Sequence, residues 1–147
     1  MAVFLNNTAG FKIQTGGSTY VDLSDHVESI TINRDFDELE VTAMGDTGHR
    51  FVKGLEASKI SITFFNDDAT GSVMQTLQGL WGTSAAFKIV QVQSAGSATV
   101  SATNPLYSGL VLVNKTTDVN GAVGDIGKQQ LTFTVNGSIT VASTGTW

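Results

Sequence analysis

His26 and His49 are the only imidazoles in this 147-residue chain, and it has no cysteine. A zinc site would have to draw both histidines and carboxylates from separate loops, with no HxxxH spacing to put ligands on one face. Asp25-His26 invites a Ser-His-Asp reading, but no GxSxG elbow presents a nucleophile, and the pair reads as a turn and cap at a strand start. The run Gly121-Ala-Val-Gly124-Asp-Ile-Gly127-Lys128 misses the phosphate-loop spacing. Gln129 stands where a magnesium-binding hydroxyl belongs, so the run reads as a loop between strands. Asp118, Asn120 and Asp125 suggest a calcium loop, yet Ala122 falls at a ligand position and no glutamate closes it. Asp35, Asp37, Glu38 and Glu40 cluster beside Arg34, where paired carboxylates do acid–base work. No aromatic pocket accompanies them, and a solvated or ion-paired face is the plainer reading. The residue chemistry therefore leads to the expectation of a non-enzyme with no cofactor and no metal. Function is sought in surfaces.

The elements that carry those surfaces are mostly strands. One proline and sixteen glycines, with charged residues only 14% of the chain, fit strands and turns. The length suits one domain, 1–147, able to bury a core without disulfides. A net charge of −5 with no run of lysine or arginine is poor equipment for gripping nucleic acid. No apolar run approaches a membrane span, and MAVFLNNTAG lacks the basic start and apolar core of a signal peptide. Residues 28–33 alternate Ile30 and Ile32 with Ser29, Thr31 and Asn33. Residues 59–64 alternate Ile60, Ile62 and Phe64 with Lys59, Ser61 and Thr63. These two are expected to pair, each with one apolar face and one face of small polar groups.

Further strands are expected at 11–14 and 20–23 around Thr15-Gly16-Gly17-Ser18, at 87–93, at 106–117 and at 130–136. In 106–117, Leu110 to Val113 are expected to be nearly all buried. Asn136-Gly137 is expected to turn the last strand back as a hairpin into 138–142. One helix, about 70–82, follows from the stripe Val73, Met74, Leu77, Leu80 and Trp81, with Asp67, Asp68 or Thr70 as cap and Gly82 as stop.

Between the paired strands lies FDELEVTAMGDTGHRFVKGL, residues 36–55. Four residues would join the strands, and an unpatterned connection longer than about 12–15 residues is uncommon and usually functional or disordered. This segment is not composed like a linker: it holds Phe36, Leu39, Val41, Met44, Phe51, Val52 and Leu55. On a projection those side chains mark a protein partner. The alternative is that residues 38–44 and 50–53 form a β-hairpin of the same core, turning at Gly45-Asp46-Thr47-Gly48; a long hairpin arm that docks on a neighbour would satisfy both readings.

Residues 22–67, DLSDHVESITINRDFDELEVTAMGDTGHRFVKGLEASKISITFFND, resemble the front half of tail tube proteins of tailed bacteriophages, long non-contractile tails in particular. VMQTLQGLWG, residues 73–82, is similar to that family's helix, and GKQQLTFTVNGSITV, residues 127–141, to its closing hairpin. The likeness covers about residues 20–142. It implies a mainly β, antiparallel β-sandwich or half-barrel with one flanking helix (about 70–82) and a long loop or hairpin arm (about 36–57). It also implies hexameric rings that stack into a tube, with Phe36, Leu39, Val41, Met44, His49, Phe51, Val52 and Leu55 at the contact between rings or subunits. Ser29, Thr31, Asn33, Lys59, Ser61 and Thr63 become candidates to line the lumen, with Lys59 the discordant member unless a loop carboxylate pairs with it.

The implied role is structural: a conduit for DNA during ejection, in the virion, assembled in the host cytoplasm. The implied partners are further copies of the chain, a tape measure protein, a tail terminator and a distal tail protein. DNA would pass without specific binding, repelled by the chain's acidity, and no membrane is involved. Some relatives carry an added immunoglobulin-like domain, and none is expected here. A sheathed, contractile tail uses a related tube, so both tail types stay open. The alternatives are another all-β virion component (a tail terminator, distal tail or capsid decoration protein) and a carbohydrate-binding module. The last would need an aromatic platform, whereas Trp81 is expected on the buried stripe.

Overall fold

The computed structural model describes residues 8–147; the opening residues 1–7, read above for a signal sequence, lie outside them. The strands are β1 (Gly10–Gly16), β2 (Thr19–Asp22), β3 (Val27–Asn33), β4 (Phe36–Glu40), β5 (Phe51–Glu56), β6 (Lys59–Phe65), β7 (Ser84–Val90), β8 (Leu106–Leu112), β9 (Lys128–Val135) and β10 (Thr140–Ala142). One α-helix, α1 (Val73–Leu80), lies between β6 and β7, and a 3-10 turn, Ser24–His26, leads into β3. The main sheet is antiparallel in the order β2-β1-β7-β8-β9-β6-β3, with β10 also on β8. Strands β4 and β5 form a separate two-stranded hairpin.

Alternation dictates the core. Ile60, Ile62 and Phe64 of β6, Leu131 and Phe133 of β9, and Phe11 and Ile13 of β1 are all fully buried on one face of the sheet. Four steps in the strand order separate β1 from β6, which would be about 19 Å in a flat sheet at the usual strand spacing. Yet the Phe11 and Phe64 rings meet edge to face with centroids 5.7 Å apart. The sheet has therefore curled on itself into a half-barrel. Helix α1 packs Val73, Leu77 and Leu80 into the same core.

The β3–β6 pair forms as the period-two pattern requires. Ser29 lies opposite Thr63, Thr31 opposite Ser61 and Asn33 opposite Lys59. The first hairpin, β1–β2, also forms, with Gly17 at positive φ in its turn.

Several expectations are corrected. Asn136-Gly137 does not reverse the chain. Strands β9 and β10 run the same way along one edge of β8: Val111 pairs with Val135, and Ser108 with Thr140. Gly137, at φ +97°, makes a kink in one interrupted strand, and the kink drops Ile139 into the core. The Ile139 N–H, removed from the ladder, donates to Glu56 Oε1 at 3.1 Å. Turn chemistry at Asn-Gly thus serves a bulge. In β8, Val111 and, just beyond its end, Val113 are buried, but Leu110 and Leu112 are exposed on the opposite face, so the segment alternates.

The helix is shorter than 70–82. Ser72 holds the N-cap position without a side-chain cap bond, and none of Asp67, Asp68 or Thr70 does. Gly82 at φ +78° stops the helix as expected. Trp81 is 65% exposed: its backbone has left helical dihedrals, so its side chain no longer follows the apolar stripe.

Candidate assembly surface

The 36–55 segment folds into an arm. Its strands β4 and β5 pair Leu39 with Val52, Glu40 with Phe51, and Glu38 with Lys53. The ladder extends one step past β4, where the Val41 N–H donates to the Arg50 carbonyl at 2.8 Å. At the arm's base the Ala57 N–H donates to the Asp35 carbonyl at 2.8 Å. The register slips between Phe36 and Glu38, and Gly54 occupies that bulge. A Cβ there would sit 2.7 Å from the Asp37 carbonyl oxygen, so only glycine fits.

The tip is built from short polar contacts. The Ala43 N–H donates to Asp46 Oδ2 at 2.9 Å, and Gly45 turns at φ +99°. Glu40 lies 2.6 Å from His49 Nδ1 and accepts from Thr42 Oγ1 at 2.8 Å, and the two contacts together hold its carboxyl below the usual range.

Phe36, Leu39, Val41, Met44, Phe51, Val52 and Leu55 are all exposed, and His49 is exposed beside Phe51. The pairing register puts Glu38, Glu40, Phe51 and Lys53 on one face of the hairpin, and Leu39 and Val52 on the other. Apolar side chains therefore face solvent from both sides. A lone two-stranded hairpin is marginal in water, so the arm has the form of something completed by a partner. The acidic cluster is spread along it: Asp35 caps the Phe36 N–H, Glu38 faces Lys53, and Glu40 faces His49. These carboxylates do not converge on a site.

The polar face is the second surface. It is wider than the candidate set Ser29, Thr31, Asn33, Lys59, Ser61 and Thr63. Strand β9 adds Gln130 opposite Thr63, Thr132 opposite Ser61 and Thr134 opposite Lys59, with Ser61 Oγ 3.3 Å from Thr132 Oγ1. The alternation in 130–135 carried that signal. Lys59 has no carboxylate within ion-pair distance among the described residues, so the arm does not neutralise it. Lys128 of β9 shares this face and pairs with Glu28 Oε1 of β3 at 2.6 Å, so the face carries one ion pair at its far end and the unpaired Lys59 at the other, among hydroxyls and amides.

Among the described residues the sheet also has two free edges, on β2 and β3. The β3 edge is the longer. Beside it a cleft of about 320 Å³ opens between Ile30, Ile32 and Arg34 on one side and Ile89, Gln91 and Tyr107 on the other. Unpaired backbone groups next to a cleft of mixed polarity are a template for strand addition.

The structure draws His26 into a cluster that sequence reasoning missed, because its partner lies 41 residues away. His26 Nδ1 is 2.6 Å from Asp25 Oδ1, and Nε2 is 2.9 Å from Asp67 Oδ2. Ser72 Oγ lies 3.5 Å from Nε2 but donates to Asp67 Oδ2 at 2.8 Å. A triad needs the hydroxyl proton directed at the imidazole. Here Asp67 takes both, and the cluster clamps the β2–β3 corner to the approach to α1. The Ala69 N–H, then Ser72 and His26, hold the Asp67 carboxyl below its usual range.

Among the described residues no group of three or more His, Cys, Asp or Glu is placed to hold a metal, and no helix is long and apolar enough to cross a membrane. Trp147 packs against Gly10 and under Lys12 Nζ, which lies 4.4 Å from its ring centroid. No protein-family model matches the chain, and a search of curated proteins returns no match.

Proposed function

We propose that this protein is a non-enzymatic structural subunit of a phage virion, whose hexameric rings stack into the tail tube that conducts DNA during ejection. The observation that carries the reading is the arm: a hairpin outside the main sheet, with apolar side chains exposed on both faces. Such a projection is completed by another protein surface, and in a self-assembling tube that surface belongs to the next ring. The free β3 edge supports lateral association, since pairing it with a neighbouring copy continues the sheet and removes an edge. The hydroxyl and amide face of β3, β6 and β9, whose two lysines sit at opposite ends with Lys128 paired to Glu28, supports a lumen that DNA passes without being held, because phosphate binding needs clustered cations.

With the resemblance described above, the reading brings a tape measure protein, a terminator and a distal tail protein as partners. It puts the protein in the virion, after assembly in the host cytoplasm. The test is sedimentation velocity on the wild type and on Phe51→Asp and Leu55→Asp. Wild type should form large species as concentration rises, and both variants should stay small with unchanged circular dichroism. Variants that assemble like wild type would remove the arm from the account.

A further inference from the structure

The five most exposed apolar side chains among the described residues are Met44, Leu55, Val119, Val123 and Ile126. They fall into two segments: the arm, and the 118–127 loop between β8 and β9. Those segments sit at opposite ends of the same strands. The arm leaves from the end where Asn33 pairs with Lys59, and the loop enters β9 at the other end, where Lys128 pairs with Phe65. About 20 Å of strand separates the two ends.

The loop is pinned at its root. Buried Gln129 accepts the Thr117 N–H at 3.0 Å, Asn120 Nδ2 donates to the Lys128 carbonyl at 2.7 Å, and the Asn66 N–H donates to the Gly127 carbonyl at 2.9 Å. A Cβ on Gly127 would lie 3.0 Å from the Asn120 carbonyl oxygen. The backbone is thus held in a fold that leaves Val119, Val123 and Ile126 in water.

We infer that the 118–127 loop is the receptor for the arm of a second copy of this chain, in a head-to-tail contact. Two unlike apolar surfaces at opposite poles make a heterologous pair, which propagates along one axis. Val119, Val123 and Ile126 together present on the order of 300 Å² of apolar side chain, as large as the biggest patch on a typical monomer. The arm exposes apolar side chains along its whole length, from Met44 at the tip to Leu55 at the base.

The inference rests on the self-assembly proposed above, and its test separates the two. The chain lacks cysteine, so Met44→Cys and Val123→Cys chains, mixed and treated with a short bis-maleimide, report proximity cleanly. The 44–123 product should exceed the 44–44 and 123–123 products by about tenfold, the equivalent of ~1.4 kcal/mol of preference. Equal yields, or none, overturn the receptor. Met44→Asp and Val123→Asp should each stop at single rings, yet pair into two-ring species when mixed, because each retains the half that the other lacks. If Met44→Asp blocks assembly and Val123→Asp does not, the arm stands and the receptor falls. If neither charge alters assembly, or wild type stays monomeric with no 44–123 product, both fall.

Discussion

Gly54→Ala should open the arm while leaving the half-barrel intact. The added Cβ would lie 2.7 Å from the Asp37 carbonyl oxygen and 3.0 Å from its Cβ, so backbone must shift. Overpacking of this kind costs about 1–3 kcal/mol. Beyond its base, where Glu56 accepts the Ile139 N–H, the arm has little other support among the described residues: β4 and β5 pair with each other, and their apolar side chains are exposed. The whole cost therefore falls on the arm's own opening equilibrium, raising the open population roughly 5- to 150-fold. Native-state hydrogen exchange reads this at the Val41 amide, which donates to the Arg50 carbonyl, and at the Ala57 amide, which donates to the Asp35 carbonyl. Protection should fall by that factor at Val41, less at Ala57 because it lies at the base, and not at all in β6 and β9. The melting temperature should stay within a degree or two of wild type. Unchanged Val41 protection would show that the bulge does not need glycine. A large fall in melting temperature would show that the arm and the barrel fold as one unit, contrary to the reasoning.

Three further outcomes are expected. Phe64→Ala removes a fully buried ring and its edge-to-face contact with Phe11, and should cost about 3–5 kcal/mol in urea unfolding. The Asp67 carboxyl is held below its ordinary value, so its contribution to stability is present above the unfolded carboxylate pKa of about 4 and is lost as pH falls through the lower folded value. Melting temperature against pH should therefore drop below about pH 4, and Asp67→Asn should melt lower at pH 7 with a shallower drop. Ser61→Lys, placed beside Lys59 on the polar face, should leave the fold within about 0.5 kcal/mol and give assembled protein a salt-dependent affinity for double-stranded DNA that wild type lacks. Equal DNA binding by both would argue against that face meeting DNA.

Much of the frame was legible because period two is local. Ile30 and Ile32 against Ser29, Thr31 and Asn33 specify a half-buried strand, and the matching pattern of 59–64 specifies its partner. The loss of period across 36–55, with apolar residues retained, disclosed the arm, though not that it is a hairpin of its own. The failures share one cause. Asn136-Gly137 has the local chemistry of a hairpin, and only the fit of Ile139 in the core with Glu56 beside it decides for a bulge. Trp81 continues the helical stripe in sequence, but the backbone leaves the helix at that residue. The His26 clamp joins residues far apart in the chain, and although 130–135 alternates visibly, only the register sets β9 beside β6. Long-range pairing decides each of these, and no short window carries it. The pole-to-pole placement of the arm and the 118–127 loop is likewise a product of the fold.

The measurement that bears most directly on the central claim is negative-stain electron microscopy of the purified protein over a concentration series. The account predicts rings that stack into long tubes with a central channel, and their disappearance with Leu55→Asp. Rings that never stack, at any concentration, would contradict it and favour a terminator, distal tail or decoration protein.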